Sequence, residues 1–148
     1  MSRQGGRVMA LDVGERRIGI AISDETGTIA SPLTTVQRGH GDLAEIRRLV
    51  AEWTTDRLVV GLPTGLSGRE GPQAALVRAY ATSLAAYLGP APPIEFADER
   101  LTTAIAERSL IESGARRAQR RQRIDAVAAA VILQGYLGAS RRPTPKRC

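Results

Sequence analysis

The first third of the chain alternates short apolar runs with turn residues, a pattern typical of β-strands joined by hairpins. Residues 7–12 and 17–23 are predicted to be two buried strands joined by a tight turn at 14–16. A third strand is predicted over 28–36, where Pro32 favours an edge position because proline cannot donate a hydrogen bond to a neighbouring strand. The opening of the chain therefore predicts an antiparallel meander.

After residue 41 the apolar positions follow helical spacing. Asp42 and Glu45 predict a capping box at the start of a helix that should end near Thr55. A central strand is predicted at 58–61, followed by a glycine-rich loop and a helix that begins at Pro72.

The last part of the chain predicts one more strand and more helix. The strand is predicted at 94–97, and a helix is expected to follow it. The final helix is predicted at about 124–138, with Ile124, Val127, Ala128 and Val131 as its apolar face.

A meander followed by alternating helices and strands predicts an α/β fold. The expected architecture is a mixed five-stranded sheet, antiparallel first and then parallel, with helices on both faces. Residues 1–138 are expected to form a single domain, and 139–148 a basic, disordered tail. In such sheets ligands gather at the carboxyl ends of the parallel strands.

Composition narrows the chemistry that this fold can carry. Cys148 and His40 are the only cysteine and histidine, so neither a disulfide framework nor a Cys/His zinc site can form, and any metal must be held by oxygen. No stretch approaches the roughly 20 apolar residues of a membrane span. We therefore expect a cytoplasmic protein without membrane contact.

The net charge of +6 points to a polyanionic partner, with nucleic acid as the leading candidate. The basic residues are almost all arginine, which the codon usage of a GC-rich genome would also produce. Clustering favours the binding interpretation, because five arginines fall close together: Arg116, Arg117, Arg120, Arg121 and Arg123.

Three acidic positions stand out because each lies beside an apolar run. Asp12 ends the first predicted strand, where a buried carboxylate needs a cation or hydrogen bonds; alternatively it only caps the Gly14 turn. Asp98 and Glu99 both follow the last predicted strand, and periodicity does not choose between them. Asp125 is predicted near the start of the final helix, where the helix dipole favours a negative charge, although first-turn acids are common. Carboxylates without His or Cys suit Mg²⁺ or Mn²⁺.

The chain resembles the YqgF family, also called RuvX. Four segments carry the resemblance, in order and over most of the chain: ALDVGERRIGIAISD (10–24), VVGLPTGLSGREGP (59–72), FADERLTT (96–103) and RIDAVAAAVILQGYL (123–137). The resemblance implies a ribonuclease H-like fold with Asp12, Glu99 and Asp125 as catalytic, metal-binding acids and Asp24 as a candidate auxiliary acid. Members of the family are described as resolving Holliday junctions or as maturing the precursor of small-subunit ribosomal RNA.

The expected activity is hydrolysis of phosphodiester bonds in structured nucleic acid by in-line attack of water. One Mg²⁺ or Mn²⁺ ion would activate the water and a second would stabilise the leaving oxygen, with Asp12 bridging both. The expected partner is precursor ribosomal RNA, or alternatively branched DNA, bound by a monomer or a homodimer. Beside the cluster at 116–123, the arginines expected to hold the phosphate backbone are Arg16, Arg17 and Arg100.

Two interpretations from other classes compete with a nuclease. DVGERRIG also resembles the first phosphate loop of the sugar kinase, actin and Hsp70 ATPases, but those proteins close two such domains on ATP. A non-catalytic nucleic-acid-binding protein would fit the basic charge equally well. Three retained acids argue against it, because without a metal they would repel phosphate. The glycine-rich loop at 61–71 lacks the GxxxxGK[ST] pattern and is a weak nucleotide-binding signal.

Overall fold

The computed structural model describes residues 6–63, 71–98 and 117–141. Five strands and three helices lie in these ranges. The strands are β1 (Arg7–Val13), β2 (Arg17–Ser23), β3 (Ala30–Gln37), β4 (Thr55–Leu62) and β5 (Ile94–Asp98). The helices are α1 (Asp42–Glu52), α2 (Pro72–Leu88) and α3 (Arg117–Arg141). None of the described helices is long and apolar enough to cross a membrane.

The strands form one sheet in the order β3-β2-β1-β4-β5. β1 pairs antiparallel with β2, and β2 with β3, whereas β1–β4 and β4–β5 are parallel. The predicted meander followed by parallel strands is confirmed. Pro32 lies on the edge strand β3, beside a register shift between Ile20 and Ala21 of β2, where its missing N–H costs no ladder bond.

The two faces of the sheet bury different kinds of side chain. The face under α1 and α2 carries large residues, among them Met9, Leu11, Ile18 and Ile20, all fully buried. The face under α3 carries small ones, because Ala10 and Ala21 meet the alanines of the helix. Helices on both faces of the sheet were expected, and the structure confirms them.

Helix α3 differs from its prediction in extent and in its buried face. The helix includes Arg117 and ends at Arg141, so it takes in the arginine-rich segment and part of the predicted tail. Its most buried residues include Ala129 and Leu133, whereas Val127 and Val131 are only half-buried. Ala126 is small where the helix lies close to Gly19 of β2. Further along the helix Ile132 and Leu137 are buried as well, and Ala128 is buried as predicted.

Helix α2 begins at Pro72 as predicted, but Leu76 and Tyr87, which share the helical spacing of Tyr80 and Leu84, are 56% and 41% exposed. Tyr80 and Leu84 pack into the core as their spacing predicts, together with Ala74, Val77 and Ala81.

Candidate active site

Asp12 lies near the carboxyl end of the central strand β1, directly opposite Gly19 of β2. Its neighbours Leu11 and Val13 belong to the core under α1 and α2, whereas Ala10 belongs to the core under α3. Successive residues of a strand point to opposite faces, so Asp12 faces α3. Its side chain is half-buried.

Asp125 reaches the same place from helix α3. A Cβ atom built on Gly19 would overlap the carbonyl carbon and oxygen of Asp125 and would lie 2.9 Å from the amide nitrogen of Ala126. The backbone of α3 therefore rests on Gly19, and any larger residue would push the helix away. Asp12, opposite Gly19 in the sheet, and Asp125, stacked on Gly19 from α3, are thus both next to the same glycine.

The position of Asp125 within α3 corrects one expectation. Asp125 follows Arg117, which is already helical, by about two turns, so it is not a first-turn residue. The stabilisation of a negative charge by the helix dipole falls off within the first turn. The favourable partner of Asp125 is instead a cationic side chain.

That partner is Arg17, the first residue of β2. Its Nε donates a hydrogen bond to Oδ2 of Asp125 at 2.7 Å, across 108 residues of sequence. The side chains are 29% and 25% exposed, so solvent screens this ion pair less than it would a surface pair. Arg17 was expected to bind phosphate, and in this structure it binds an acid of the predicted site.

A cavity of about 260 Å³ opens beside this ion pair. It is lined by Gly14, Glu15, Arg16, Arg17 and Asp125. The turn between β1 and β2 forms one wall, and it is closed by a hydrogen bond from the Gly14 amide to the Arg17 carbonyl at 2.9 Å. Arg16 is exposed at this wall. The cavity therefore offers an arginine and a carboxylate at the carboxyl end of β1, where ligands were expected.

Arg38 supports this turn from behind. Its Nη1 donates to the Gly14 carbonyl at 3.1 Å, and its backbone amide donates to the Arg16 carbonyl at 2.8 Å. The guanidinium carbon also lies 4.9 Å from the ring centre of Tyr80 on α2. Burial raises the pKa of the Tyr80 hydroxyl, and the nearby Asp42 carboxylate raises it further. The ring of Tyr80 thus holds the Arg38 side chain in place, and the hydrogen bonds of Arg38 hold the turn at Gly14.

The carboxyl end of β5 lies at the same end of the sheet as the carboxyl end of β1, because β1, β4 and β5 are parallel. Leu11 of β1 pairs with Val60 of β4, and the next residue of β4, Gly61, pairs with Ala97 of β5. Ala97 is therefore level with Asp12 and two strands away, so their backbones are about 10 Å apart. β5 ends at Asp98. The third predicted acid, Glu99, lies outside the described residues.

Asp24 is not brought to this site. Asp24 follows the last residue of β2 and lies five positions after Gly19. This puts it roughly 16 Å from Gly19, at the opposite end of the strand. Its carboxylate accepts hydrogen bonds from the Thr26 hydroxyl and from the backbone amides of Thr28 and Ile29. These bonds lower its pKa to about 2. In this structure Asp24 organises the turn between β2 and β3, and the structure does not bring it to Asp12 and Asp125.

The expected nucleic-acid-binding arginines are placed only in part. Arg16 and Arg17 line the cavity. In the arginine cluster, Arg117, Arg120, Arg121 and Arg123 belong to the helical backbone of α3 ahead of Asp125. Arg100 and Arg116 lie outside the described residues.

The carboxylates of this site are of the kind that the expected metal needs. Asp12 and Asp125 are both carboxylates, and hard oxygen donors are what Mg²⁺ and Mn²⁺ require. Over residues 6–63, 71–98 and 117–141, no group of three or more acidic, histidine or cysteine side chains comes together. Two of the three expected donors thus converge in the described part, and their chemistry fits a divalent cation.

Gly19 and Arg38 are the residues of this site that the sequence interpretation missed. Gly19 interrupts the apolar strand RIGIAIS, and an isolated glycine in a strand often marks a close approach of another backbone. That signal was available. Arg38 had none, because its partners Gly14 and Tyr80 are distant in sequence.

Comparison with known proteins agrees with this fold. The sequence model of a protein family described as "RuvX: Holliday junction resolvase" matches residues 6–139. The chain belongs to the RuvX family. It is 49% identical to a protein of Roseiflexus sp. named "Putative pre-16S rRNA nuclease", over 95% of this chain and 100% of that protein. A protein of Moorella thermoacetica with the same name is 50% identical, over 88% and 94% of the two chains.

Solved structures support the ribonuclease H-like fold of this RuvX chain. RuvC of T. thermophilus in complex with a Holliday junction substrate superposes with a TM-score of 0.53 at 17% identity, over 90% of this chain and 95% of that one. The Fowlpox virus resolvase in complex with Holliday junction DNA gives a TM-score of 0.57 at 9% identity, over 92% and 99%. At these identities the likeness concerns the fold alone. The likeness confirms the predicted fold class. The family and the relatives named as nucleases make the chain an enzyme of the nuclease class.

Proposed function

We propose that this RuvX chain is a Mg²⁺- or Mn²⁺-dependent nuclease whose cation is held by Asp12, Asp125 and Glu99. The observation that carries the proposal is the contact of α3 with Gly19, which brings Asp12 and Asp125 together at the carboxyl end of β1. Two acids at neighbouring positions suit a cation, because positive charge beside carboxylates offsets their repulsion, as Arg17 does for Asp125. The cavity next to them gives a phosphate access from solvent.

In this proposal the acids, Arg16 and Arg38 have different roles in hydrolysis. A pair of divalent ions at the three acids would supply activation of the attacking water and stabilisation of the leaving oxygen. Arg16 neutralises the phosphate that enters the cavity, and the turn held by Arg38 fixes the place where that phosphate stops. In-line attack of water from the side opposite the 3′-oxygen would break the bond between phosphorus and that oxygen, and it would leave a 5′-phosphate and a 3′-hydroxyl.

We propose the precursor of small-subunit ribosomal RNA as the substrate, acted on in the cytoplasm. The support is that the curated relatives, which match along nearly their whole length, are named for that RNA. The arginines of α3 ahead of Asp125, and Arg100 and Arg116 beyond the described residues, are proposed to hold the flanking backbone.

A four-way DNA junction is the second candidate substrate. It is favoured by the description of the family and by the fold shared with two junction-bound resolvases. A junction resolvase places two active sites on opposed strands and therefore works as a two-fold dimer, whereas RNA cleavage needs only a monomer.

The test is a cleavage assay with the purified protein in Mg²⁺, in Mn²⁺ and in EDTA. Labelled precursor RNA, four-way DNA junction and duplex DNA are offered to the wild type and to Asp12→Asn and Asp125→Asn. Asp24→Asn is the matched control, since it removes an acidic charge at the opposite end of the strand β2. Far-UV circular dichroism checks that each variant folds.

We expect cleavage of the precursor RNA that needs a divalent ion, survives Asp24→Asn and falls by about a hundredfold or more in the other two variants. Cleavage of the junction alone would make the second candidate the function. Metal-independent binding of all three substrates without cleavage would contradict the nuclease proposal and favour a protein that only recruits nucleic acid.

A further inference from the structure

Arg17 and Asp125 form an ion pair where the proposed function needs a free carboxylate. Nε of Arg17 lies 2.7 Å from Oδ2 of Asp125, and both side chains are about three-quarters buried. A guanidinium at this distance engages one of the two oxygens that a divalent cation would use. It also repels that cation, since both are positive.

Arg17 is at the same time a residue of the cavity that receives the phosphate. It lines this cavity together with the exposed Arg16 and the turn at Gly14. A guanidinium carries five N–H donors in a planar fork, and a phosphate accepts two of them in parallel. One guanidinium thus lies within reach of two competing anions, the Asp125 carboxylate and a backbone phosphate.

We propose that Arg17 couples loading of the metal to binding of the nucleic-acid backbone. Without substrate, Arg17 neutralises Asp125 and keeps the affinity for the divalent cation low. A backbone phosphate in the cavity takes up the donors of Arg17, and the released Asp125 carboxylate becomes available to the cation. The inference rests on the proposed function and adds a second role to a residue expected only to bind phosphate.

Two observations favour release of Arg17 over a fixed support of Asp125. The described contact between the two side chains is a single hydrogen bond from Nε, not a two-pronged one. Asp125 is already positioned through its own backbone, because α3 rests on Gly19. Arg17 is therefore not needed to hold the backbone of Asp125 against the sheet.

Coupling of this kind is reciprocal. If the phosphate backbone raises the affinity for the cation by some factor, the cation raises the affinity for the backbone by the same factor. The coupling can therefore be measured in binding equilibria, without any cleavage.

The experiment measures Mn²⁺ binding by isothermal titration calorimetry, with and without a short single-stranded phosphorothioate oligonucleotide that resists hydrolysis. The proteins are the wild type, Arg17→Gln, Arg17→Lys and Asp125→Asn. Asp125→Asn reports the Mn²⁺ that the oligonucleotide itself takes up. Arg17→Lys is the matched control, because it keeps the positive charge beside Asp125.

Without oligonucleotide, we expect Arg17→Gln to bind Mn²⁺ about fivefold tighter than the wild type or more, the usual lower bound of coupling between sites. Arg17→Lys should stay within about twofold of the wild type, since a lysine still presents a charge to the carboxylate. The oligonucleotide should tighten Mn²⁺ binding by the wild type by a similar factor of about five. It should leave Arg17→Gln nearly unchanged.

Equal or weaker Mn²⁺ binding by Arg17→Gln would overturn the inference and make Arg17 a support of Asp125. An oligonucleotide that leaves Mn²⁺ binding by the wild type unchanged would overturn it too. That measurement uses only the wild type, so it does not depend on whether a variant folds. Mn²⁺ binding by Asp125→Asn equal to that of the wild type would instead overturn the proposed metal site, and this inference with it. The two failures are therefore distinguishable.

Discussion

Gly19 and Asp125 touch through their backbones, although more than a hundred residues separate them in the sequence. Gly19 is fully within β2, opposite Asp12 in the register, and Asp125 lies inside helix α3. The contact sets how close α3 comes to the sheet. It therefore also sets the separation of the two acids that the proposed nuclease needs.

Gly19→Ala should cost activity more than stability. The added methyl group would collide with the Asp125 carbonyl, so α3 must shift outward. Overpacking of this kind costs about 1–3 kcal/mol of the free energy of unfolding, measurable by urea denaturation. We expect cleavage to fall by about a hundredfold, because small displacements of catalytic groups are expensive.

Gly135→Ala is the matched control for that variant. Gly135 lies in the same helix, is exposed, and a Cβ built on it has no neighbour within 4 Å. Alanine should stabilise the helix by about 0.5–1 kcal/mol and leave cleavage unchanged. Equal activity of the two variants would show that the contact at Gly19 does not govern the site.

Arg38→Ala should loosen the turn at Gly14. The variant loses the hydrogen bond to the Gly14 carbonyl and the contact with the Tyr80 ring. Together these are worth about 1–2 kcal/mol of the free energy of unfolding. Because the turn forms one wall of the cavity, we also expect KM for the nucleic acid to rise.

Arg47→Ala is the control for Arg38→Ala. Arg47 lies on α1, and its guanidinium carbon is 5.5 Å from the Tyr87 ring centre, so the variant loses a similar contact away from the site. The loss should stay below about 1 kcal/mol, with no change in KM. A rise in KM of the same size in both variants would assign the effect to lost charge and not to the turn.

Most of the fold could be predicted from the sequence because it is written in local patterns. The strand over 17–23 has the predicted bounds, and the apolar face of α1 packs as its spacing indicates. Helix α3 was predicted too short, because its arginine-rich first turns carry no apolar periodicity. Its inner face was predicted only in part, because Ala128 is buried and Val127 and Val131 are half-buried, whereas Ala129 and Leu133 are fully buried.

The site could be predicted only as far as the identity of its acids. Asp12 and Asp125 were selected, and in the structure both lie next to Gly19. The pairing of Arg17 with Asp125 joins residues that no periodicity connects. The place of Asp24 in a turn could not be predicted, because a motif shows that an acid is present but not whether it faces the site or closes a turn.

Asp24 should make stability depend on pH in the acid range. Its pKa is about 2 in the folded chain, below the ordinary value of 3.8, because the Thr26 hydroxyl and two backbone amides stabilise the carboxylate. The resulting stabilisation is complete above about pH 4 and is lost as the pH falls toward 2.

Asp24→Asn should therefore be less stable than the wild type at neutral pH, and the gap should narrow between pH 4 and pH 2. Urea denaturation over this range measures both. Cleavage by Asp24→Asn should equal that of the wild type at neutral pH. A gap that stays constant with pH would contradict the hydrogen-bonded turn, and lost cleavage would return Asp24 to the site.

Thr54→Gly should stabilise the fold, because Thr54 has a left-handed backbone conformation. Its φ is 46° at the end of α1, a position where helices usually place glycine. A β-branched residue is strained there by about 1–2 kcal/mol, and glycine removes this strain. Part of the gain is lost, because glycine has more conformational freedom in the unfolded chain. We expect a net gain of about 1 kcal/mol in urea denaturation. Thr54→Ala, which keeps a Cβ atom, should gain much less, and a Thr54→Gly variant less stable than the wild type would show that this turn is not left-handed in solution.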